Sequence, residues 1–175
     1  MPIPLPVETE RLILRAFEPE RDADQMLEVY GDPAVMRFIP GGSYRGLDAV
    51  RATLERYVCE QESRGFSFWA VVERDGAHVV GDAGFGVFAQ TGDVELGYTF
   101  RRDRWGRGYA TEAARACVEA GLAHLDVPRI VAVVDAENLR SARVAERIGM
   151  AAVETVVGLS GRPHTLFAVR RGRAA

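Results

Sequence analysis

Apolar and polar residues alternate along the chain in short segments that predict strands and amphipathic helices. Residues 9–15 (TERLILR) enclose apolar side chains between charged ones, which predicts a first strand. Two helices are predicted next, a short one over 20–31 and a longer one over 47–63. The longer helix repeats its apolar side chains at spacings of three and four, at Val50, Leu54, Tyr57 and Val58.

Three apolar runs separated by turn residues form the middle of the chain, over 66–73, 78–88 and 93–100. Asp75-Gly76 lies in the first gap and Thr91-Gly92-Asp93 in the second, and both are typical of hairpin turns. Strands joined by such short turns run in opposite directions. This segment is therefore predicted to be an antiparallel meander.

The remainder of the chain alternates helical and extended patterns. The predicted helices cover 109–125 and 139–149, and the predicted strands cover 129–135, 151–157 and 164–170. The strand over 129–135 (RIVAVVD) is almost entirely apolar, as a strand covered on both faces should be. The order of elements predicts an α+β fold in a single domain over residues 1–175, with a mixed central sheet of about seven strands flanked by about four helices.

Composition and charge argue against several classes of protein. The net charge of −3 does not suit a dedicated nucleic-acid binder, which needs a basic surface. No run approaches the roughly 18 apolar residues of a membrane span, and the start of the chain, MPIPLP, lacks the basic and apolar regions of a signal peptide. We therefore expect a cytoplasmic protein that has neither nucleic acid nor a membrane as its partner.

Cysteine and histidine form no recognisable reactive or metal-binding pattern. Cys59 and Cys117 each lie inside a helical pattern and are predicted to be buried free thiols, in preference to a disulfide or a nucleophile. His78, His124 and His164 are scattered without metal-ligand spacing. No metal site is predicted.

A glycine-rich turn between the strand at 93–100 and the helix at 109–125 carries the clearest chemical signal. Gly106 and Gly108 allow a tight turn that presents several backbone N–H groups in one direction. The helix start adds unpaired N–H groups and the positive end of its dipole, and no Asp or Asn just ahead of it uses them. The turn therefore suits an anion such as phosphate; the alternative is a plain connection capped by Thr111 or water.

Arginines favour the anion-binding interpretation, because four of them surround this turn, namely Arg101, Arg102, Arg104 and Arg107. All 22 basic residues of the chain are arginine, so the P-loop motif, which needs lysine, is absent. A dinucleotide-binding fingerprint would require glycine at the position of Thr111. Both common nucleotide motifs are therefore missing, although an ATP-binding protein stays an alternative.

Four segments carry a specific family signature: TERLILR at 9–15, VELGY at 94–98, WGRGYATEA at 105–113 and NLRSARVAERIGM at 138–150. In this order they resemble the GNAT superfamily of acetyl-CoA-dependent N-acetyltransferases, particularly its RimJ/RimL-like branch. With the meander, the resemblance extends over nearly the whole chain. It implies a GNAT fold and transfer of an acetyl group from acetyl-CoA to a primary amine within a ternary complex.

The resemblance also implies which residues hold the cofactor's phosphates. The pyrophosphate would rest on backbone N–H groups of Arg104, Trp105, Gly106, Arg107, Gly108, Tyr109 and Ala110. Candidate phosphate contacts are the side chains of Arg102, Arg104 and Arg107, each of which could instead be merely solvated. Asp103 stands where the family's loop usually has Gln or Arg; this departure concerns only a side-chain contribution at 103 and leaves the backbone cradle intact.

In this family, the strand before the loop splays away from the next parallel strand, and the pantetheine arm enters the gap. By resemblance, Leu96, Tyr98 and Phe100 lie along the arm, and a backbone N–H of this strand polarises the thioester carbonyl. Asn138 matches an asparagine that contacts the arm, and it could equally cap the helix that follows.

Two residues are candidates for the acid–base chemistry. Glu95 matches a glutamate common in this branch and is the candidate base; the alternative is a solvent-facing strand residue. Ser141 matches the family's serine beside the thiol and could donate a proton to the thiolate; the alternative is a serine that satisfies backbone donors at the helix start. Glu112 is predicted to favour the helix dipole rather than to act in catalysis.

The acceptor amine is not identified by the sequence. A protein N-terminal α-amine or a similar amine is the first interpretation; the alternatives are a small molecule, such as an antibiotic or polyamine, and acyl-CoA binding without turnover. The acceptor pocket would be built from residues 20–65, including the loop near 35–44, with Trp69 and Phe38 either lining it or packing. Homodimers are common in this branch, but the sequence identifies no interface.

Overall fold

The computed structural model describes residues 1–76, 78–158 and 161–172. Its strands are β1 (Val7–Glu8), β2 (Leu12–Arg15), β3 (Phe68–Glu73), β4 (Val79–Val87), β5 (Val94–Phe100), β6 (Arg129–Asp135), β7 (Ala151–Val157) and β8 (Pro163–Arg170). Its helices are α1 (Pro19–Tyr30), α2 (Leu47–Arg64), α3 (Tyr109–His124) and α4 (Leu139–Arg147). Further 3₁₀ turns, Met36–Phe38 and Arg102–Arg104, are too short to give a periodic signal in the sequence.

The strands form a mixed sheet in the order β1-β2-β3-β4-β5-β6-β8-β7. The neighbours β5 and β6 are parallel, whereas the other neighbouring strands are antiparallel. The predicted α+β fold is confirmed, with its four helices and its meander of β3, β4 and β5.

Within the described residues the sheet has eight strands, one more than the pattern predicts. The additional strand is β1, and the predicted strand over 9–15 is divided between a turn and β2. Thr9 forms this turn: its backbone N–H donates to the Leu12 carbonyl oxygen at 2.9 Å, and the Leu12 N–H donates to Thr9 Oγ1 at 2.9 Å. A strand as short as β1 cannot be recognised from alternating polarity.

The helices cover opposite faces of the sheet. On one face α3 packs against Phe85, Leu96 and Ile130, and on the other α1 and α2 enclose a second apolar cluster that includes Ala70. Gly121 lets α3 lie close to the sheet, since a Cβ atom there would lie 2.7 Å from Ile130 Cδ1 and 2.8 Å from Phe85 Cζ. The core therefore consists of two apolar layers separated by the sheet.

Both cysteines are free thiols, but only Cys117 is buried. It lies on the apolar stripe of α3, and burial raises the pKa of its thiol, which does not suit a nucleophile. The prediction that Cys59 is buried is wrong. This residue is exposed because α2 packs through Val50 and Leu54, and Cys59 lies on the opposite side of the helix.

The described residues contain no group of three His, Cys, Asp or Glu side chains that could hold a metal ion. His164 Nε2 lies 3.9 Å from Asp135 Oδ2, which makes a pair rather than a ligand set. Among the same residues, no helix has both the length and the apolar character needed to cross a membrane.

Candidate functional site

The parallel strands β5 and β6 separate after only two paired positions. Val94 pairs with Ile130 and Glu95 with Val131, whereas the rest of β5 pairs only with β4. Past Glu95, the backbone groups of β5 that point towards β6 therefore have no strand partner, which leaves an open edge of alternating N–H and C=O groups. A ligand with an extended chain of amides can hydrogen-bond to such an edge.

The glycine-rich turn follows directly from this open edge. Gly106 and Gly108 have φ angles of +77° and +83°, which L side chains rarely adopt, and Gly108 is the residue before α3. No described side chain caps the start of α3, so the predicted alternative of a Thr111 cap is absent. A Cβ atom at Gly106 would meet nothing within 4 Å, so the space beside this glycine is open. The uncapped N–H groups and the helix dipole suit a phosphate.

Ion pairs fix the 3₁₀ turn that precedes the glycines. Arg101 Nη1 lies 2.7 Å from Glu28 Oε2, and Arg102 Nε lies 3.3 Å from Asp32 Oδ2. Both carboxylates belong to α1 or the residues just after it. Two of the four arginines that favour an anion therefore already have anionic partners within the chain.

The remaining two arginines of the turn differ in their surroundings. Arg104 Nε lies 3.0 Å from Glu73 Oε1, which also accepts a hydrogen bond from the Tyr109 hydroxyl at 2.9 Å. Arg107 is exposed, and no ion pair involves it among the described residues. Of the predicted phosphate contacts, Arg107 is thus the one whose charge is not already balanced by a neighbouring carboxylate.

Residues of the first signature segment, 9–15, hydrogen-bond to the glycine-rich turn and to the first turn of α3. Glu112 Oε1 accepts a hydrogen bond from Thr9 Oγ1 at 2.6 Å, and Arg11 Nη2 lies 2.6 Å from Glu112 Oε2. Arg11 Nη1 also donates to the Arg107 carbonyl oxygen at 2.9 Å, and its guanidinium carbon lies 4.8 Å from the centre of the Tyr109 ring. Burial opposes ionisation of Glu112, but the bonds from Thr9 and Arg11 outweigh it and lower its pKa. Sequence reasoning missed this role of Arg11, because it depends on contacts between distant segments.

Glu95 lies at the point where β5 and β6 separate. It is the last residue of β5 that pairs with β6, and its side chain is half-buried rather than solvent-facing. Burial raises its pKa above the ordinary value, while the backbone N–H of Val133 and the charge of His164 act in the opposite direction. A carboxylate with a raised pKa is a better proton acceptor than an exposed one.

Aromatic side chains lie beside Glu95 on the face covered by α1 and α2. A Cβ atom at Gly97 would lie 2.8 Å from Phe68 Cε1, so the Phe68 ring covers this part of β5. The Tyr57 ring, on α2, has its centre 5.1 Å from that of Phe68. An acceptor that reaches Glu95 from this face would therefore pass Phe68.

Trp69 and Phe38, the two aromatic candidates for the acceptor pocket, have different environments. Trp69 is fully buried on the α3 side, and its Nε1–H donates to Gln61 Oε1 at 2.8 Å, so it packs in the core. Phe38 is half-buried under the guanidinium of Arg37, whose Cζ atom lies 4.9 Å from the ring centre.

Tyr98 and Ser141 meet on the α3 and α4 side of the open edge. The two hydroxyl oxygens are 2.8 Å apart, and the Tyr98 hydroxyl also lies 3.3 Å from the Ser141 carbonyl oxygen. Burial raises the pKa of Tyr98 to about 12, although its bond to Ser141 opposes the shift. Asn138 Oδ1 accepts a hydrogen bond from the Ser141 backbone N–H at 3.2 Å, so Asn138 caps α4.

Arg140 is a further cation at this site, in addition to the arginines of the glycine-rich turn. Its guanidinium carbon lies 4.8 Å from the centre of the Trp105 ring, and Trp105 Nε1–H donates to the Phe100 carbonyl oxygen at 2.9 Å. The pair therefore lies where the open edge of β5 ends. The sequence does carry a signal for Arg140: it lies in the first turn of a predicted helix, where a cation opposes the helix dipole.

Comparisons with known proteins show the family of this chain. The acetyltransferase (GNAT) domain matches residues 11–151. The uncharacterized N-acetyltransferase YnaD of Bacillus subtilis (strain 168) is 31% identical over 144 residues, which cover 82% of this chain and 81% of YnaD. A crystal structure of a GNAT-family acetyltransferase from Bacillus anthracis has a TM-score of 0.83 at 25% identity, with 95% of this chain and 99% of that chain covered.

One solved structure with the same fold contains coenzyme A. It is RimL, a ribosomal L7/L12 alpha-N-protein acetyltransferase, in complex with coenzyme A. The TM-score is 0.80 over 96% of this chain and 97% of RimL, and the identity is 16%. At this identity the likeness concerns the fold alone.

Proposed function

This chain belongs to the GNAT acetyltransferase family and is an N-acetyltransferase, and we propose that it transfers the acetyl group of acetyl-CoA to a primary amine by direct attack within a ternary complex. One structural observation supports acetyl-CoA as the cofactor. The open edge of β5 runs directly into an uncapped helix start with two left-handed glycines. An amide-containing arm and a diphosphate are the two chemical parts that such a site accommodates together. We also propose that residues 1–175 act as a single catalytic domain.

Residues along the open edge would hold the arm of the cofactor. Backbone groups of Leu96, Tyr98 and Phe100 are the proposed hydrogen-bond partners of the pantetheine amides, because they have no partner in β6. Asn138 would contribute its side-chain N–H₂ group to the arm while its oxygen stays bound to the Ser141 N–H.

Phosphate binding would rest mainly on backbone N–H groups of the glycine-rich turn and the start of α3. The proposed donors are Arg104, Trp105, Gly106, Arg107, Gly108, Tyr109 and Ala110. Arg107 is the first side chain to consider for a phosphate contact, since it is exposed and in no described ion pair. Arg102 and Arg104 stay candidates, but each would have to share its charge with a carboxylate.

Glu95 would act as the base for the attacking amine. Acetyl-CoA supplies an acetyl group activated as a thioester. An α-amino group has a pKa of about 8, so part of it is neutral at neutral pH, and a mild base, directly or through water, is sufficient to accept the proton that it loses on attacking the thioester carbonyl. The half-buried position and raised pKa of Glu95 support this role, as does its place at the separation of β5 and β6.

When the carbon–sulfur bond breaks, Ser141 would donate a hydrogen bond to the leaving thiolate, or a proton that Ser141 regains through the Tyr98 hydroxyl and solvent. Because its pKa is raised to about 12, Tyr98 stays protonated at neutral pH. When the Tyr98 hydroxyl donates to Ser141 Oγ, the Ser141 hydrogen is free to point to another acceptor. Tyr98 is thus proposed to direct the Ser141 hydroxyl as well as to line the arm.

The proposed acceptor is a protein N-terminal α-amine, by analogy with RimL, an alpha-N-protein acetyltransferase that shares this fold. The experiment is an acetylation assay with purified protein, acetyl-CoA, a mixed panel of peptides with free N-termini, and a panel of small amines including polyamines. Mass spectrometry of the products should show acetylated N-termini. Acetylation of small amines alone would show that the acceptor is a small molecule rather than a protein N-terminus. CoA binding without any acetylated product would favour a protein that binds acyl-CoA without turnover.

A further inference from the structure

The guanidinium of Arg140 lies over the indole of Trp105 at the end of the open edge of β5. Its Cζ atom is 4.8 Å from the ring centre, within the range of a cation–π contact. The Trp105 ring is itself held by the hydrogen bond from Nε1 to the Phe100 carbonyl oxygen at 2.9 Å. Arg140 is exposed, and Trp105 is 37% exposed, so both residues lie at the surface.

The charge of Arg140 has no counterpart within the described chain. Its neighbours in the site, Arg101, Arg102 and Arg104, each form an ion pair with a carboxylate. No carboxylate among the described residues forms an ion pair with Arg140, whose one described side-chain contact is with the Trp105 ring. It also occupies the first turn of α4, where a positive charge is unfavourable to the helix dipole. The missing ion pair and the position in the first turn of α4 do not stabilise the fold. Both are expected of an arginine that binds an anionic ligand.

We propose that Arg140 binds the diphosphate of coenzyme A, with Trp105 as the platform that holds the guanidinium at the mouth of the β5–β6 gap. The proposal rests on acetyl-CoA being the cofactor. It follows from three positions: the indole is anchored to Phe100, the last residue of the open edge; Gly106 directly follows Trp105; and Arg140 covers the indole. The backbone N–H groups of the turn and the Arg140 side chain would therefore bind the same anion.

Stacking on Trp105 reduces the freedom of a long side chain before the anion arrives. A flexible exposed arginine loses rotamer entropy when it binds a phosphate, and a guanidinium already held against a ring loses less. Lysine at this position would keep the charge but lose the planar contact and the paired N–H donors. Arg140→Lys is thus expected to recover only part of the affinity that Arg140→Gln loses.

The test is the affinity for CoA of the wild type, Arg140→Gln, Arg140→Lys and Arg147→Gln, measured by isothermal titration calorimetry. Arg147→Gln is the matched control, because this exposed residue removes the same charge from the other end of α4. Arg140→Gln should weaken binding about tenfold, as expected for one charge-assisted contact, whereas Arg147→Gln should change it less than twofold. Dephospho-CoA should show the same loss, because it keeps the diphosphate.

Fluorescence of Trp105 gives a second readout that does not depend on turnover. The chain has two tryptophans, and Trp69 is fully buried, so a change in emission on adding CoA should come from Trp105. The change should disappear in Trp105→Phe and be strongly reduced in Arg140→Gln at saturating CoA.

Equal affinity of Arg140→Gln and wild type for CoA would overturn the assignment of Arg140 while leaving the proposed cofactor intact. A loss seen with CoA but not with dephospho-CoA would also overturn it, since the contact would then be to the 3′-phosphate. Absence of binding by the wild type would overturn the cofactor itself.

Discussion

The hydroxyl oxygens of Tyr98 and Ser141 lie 2.8 Å apart and connect β5 to α4 across the open side of the strand. Each residue comes from a different signature segment, and the contact joins them beside the gap between β5 and β6. Ser141 is oriented further by Asn138, which caps α4 through the Ser141 N–H. The candidate proton donor is therefore held by two neighbours rather than exposed at a free helix end.

Removing the Ser141 hydroxyl should lower turnover more than cofactor affinity. We expect Ser141→Ala to reduce kcat by about 10²-fold, the lower end of the range for a lost proton donor. Tyr98→Phe should have a smaller effect on kcat, because Ser141 keeps its hydroxyl but loses the group that directs it. Steady-state kinetics and calorimetric titration with CoA separate the two quantities. A kcat of Ser141→Ala within twofold of wild type would exclude the residue as the donor.

Glu95→Gln should lower kcat about 10²- to 10⁴-fold and leave the affinity for acetyl-CoA unchanged. The base acts when ionised, so the wild-type rate should fall as the pH falls through the pKa of Glu95. Because burial raises this pKa, the fall should occur above the usual range of a glutamate. A pH–rate profile checks both points. If the variant keeps the wild-type acidic limb, another group is responsible for it.

Valine at Gly108 should abolish CoA binding. Gly108 has a φ of +83°, and a Cβ atom there would lie 3.4 Å from Arg11 Nη2, so a branched side chain would distort the turn. Gly92→Val is the matched control: its φ is +77°, nothing lies within 4 Å of its Cβ position, and it is in the β4–β5 turn. Both substitutions should cost about 1–2 kcal/mol in stability for the left-handed conformation. Only the first should lose affinity in a calorimetric titration; equal affinity would remove the turn from the cofactor site.

Asp82 should make the protein less stable as the pH rises towards neutrality. It is buried and accepts a hydrogen bond from the Tyr30 hydroxyl at 2.5 Å, and burial raises its pKa from 3.8 to about 6. The raised pKa gives stability that is fully present below the unfolded value and is lost as the pH rises through the folded value. The loss amounts to about 3 kcal/mol for a shift of this size. Asp82→Asn should therefore be more stable than wild type at pH 7 and nearly equal at pH 4, by urea unfolding.

Asp93→Asn is the control for the urea unfolding of Asp82→Asn, because the pKa of Asp93 is shifted in the opposite direction. The pKa of Asp93 is lowered by its hydrogen bonds from Arg129, at 2.7 and 3.0 Å. Its contribution to stability is present above the unfolded value and is lost as the pH falls. The substitution should therefore destabilise the protein at pH 7. A parallel response of the two variants to pH would contradict the account of Asp82.

Long periodic elements of the fold can be predicted from the sequence, because burial of one stripe or both faces leaves a strong pattern. The apolar run of β6 and the stripe of α3 are examples. The two-residue strand β1 cannot be predicted from the sequence, since it depends on a turn formed by Thr9 rather than on alternating polarity. The exposure of Cys59 also follows from which side of α2 meets the sheet, and that side is set by tertiary packing.

In the candidate site, too, some features can be predicted from the sequence and others cannot. The glycines of the turn and the cap at Asn138 are predictable, because their roles lie in the local backbone. The partners of the arginines are not, because the carboxylates that bind Arg102 and Arg104 come from distant segments. The stacking of Arg140 on Trp105 likewise joins two segments that local reasoning treats separately.

Ligand-dependent thermal unfolding tests the central claim, that the glycine-rich turn and the open edge of β5 bind acetyl-CoA. The wild-type protein is heated with acetyl-CoA, CoA, ATP and NAD, one at a time. A ligand at about 100 times its Kd adds roughly 2.7 kcal/mol of stability, which is a visible shift in Tm. The account predicts a shift with acetyl-CoA and CoA alone. No shift with either, or a shift with ATP or NAD instead, would contradict it.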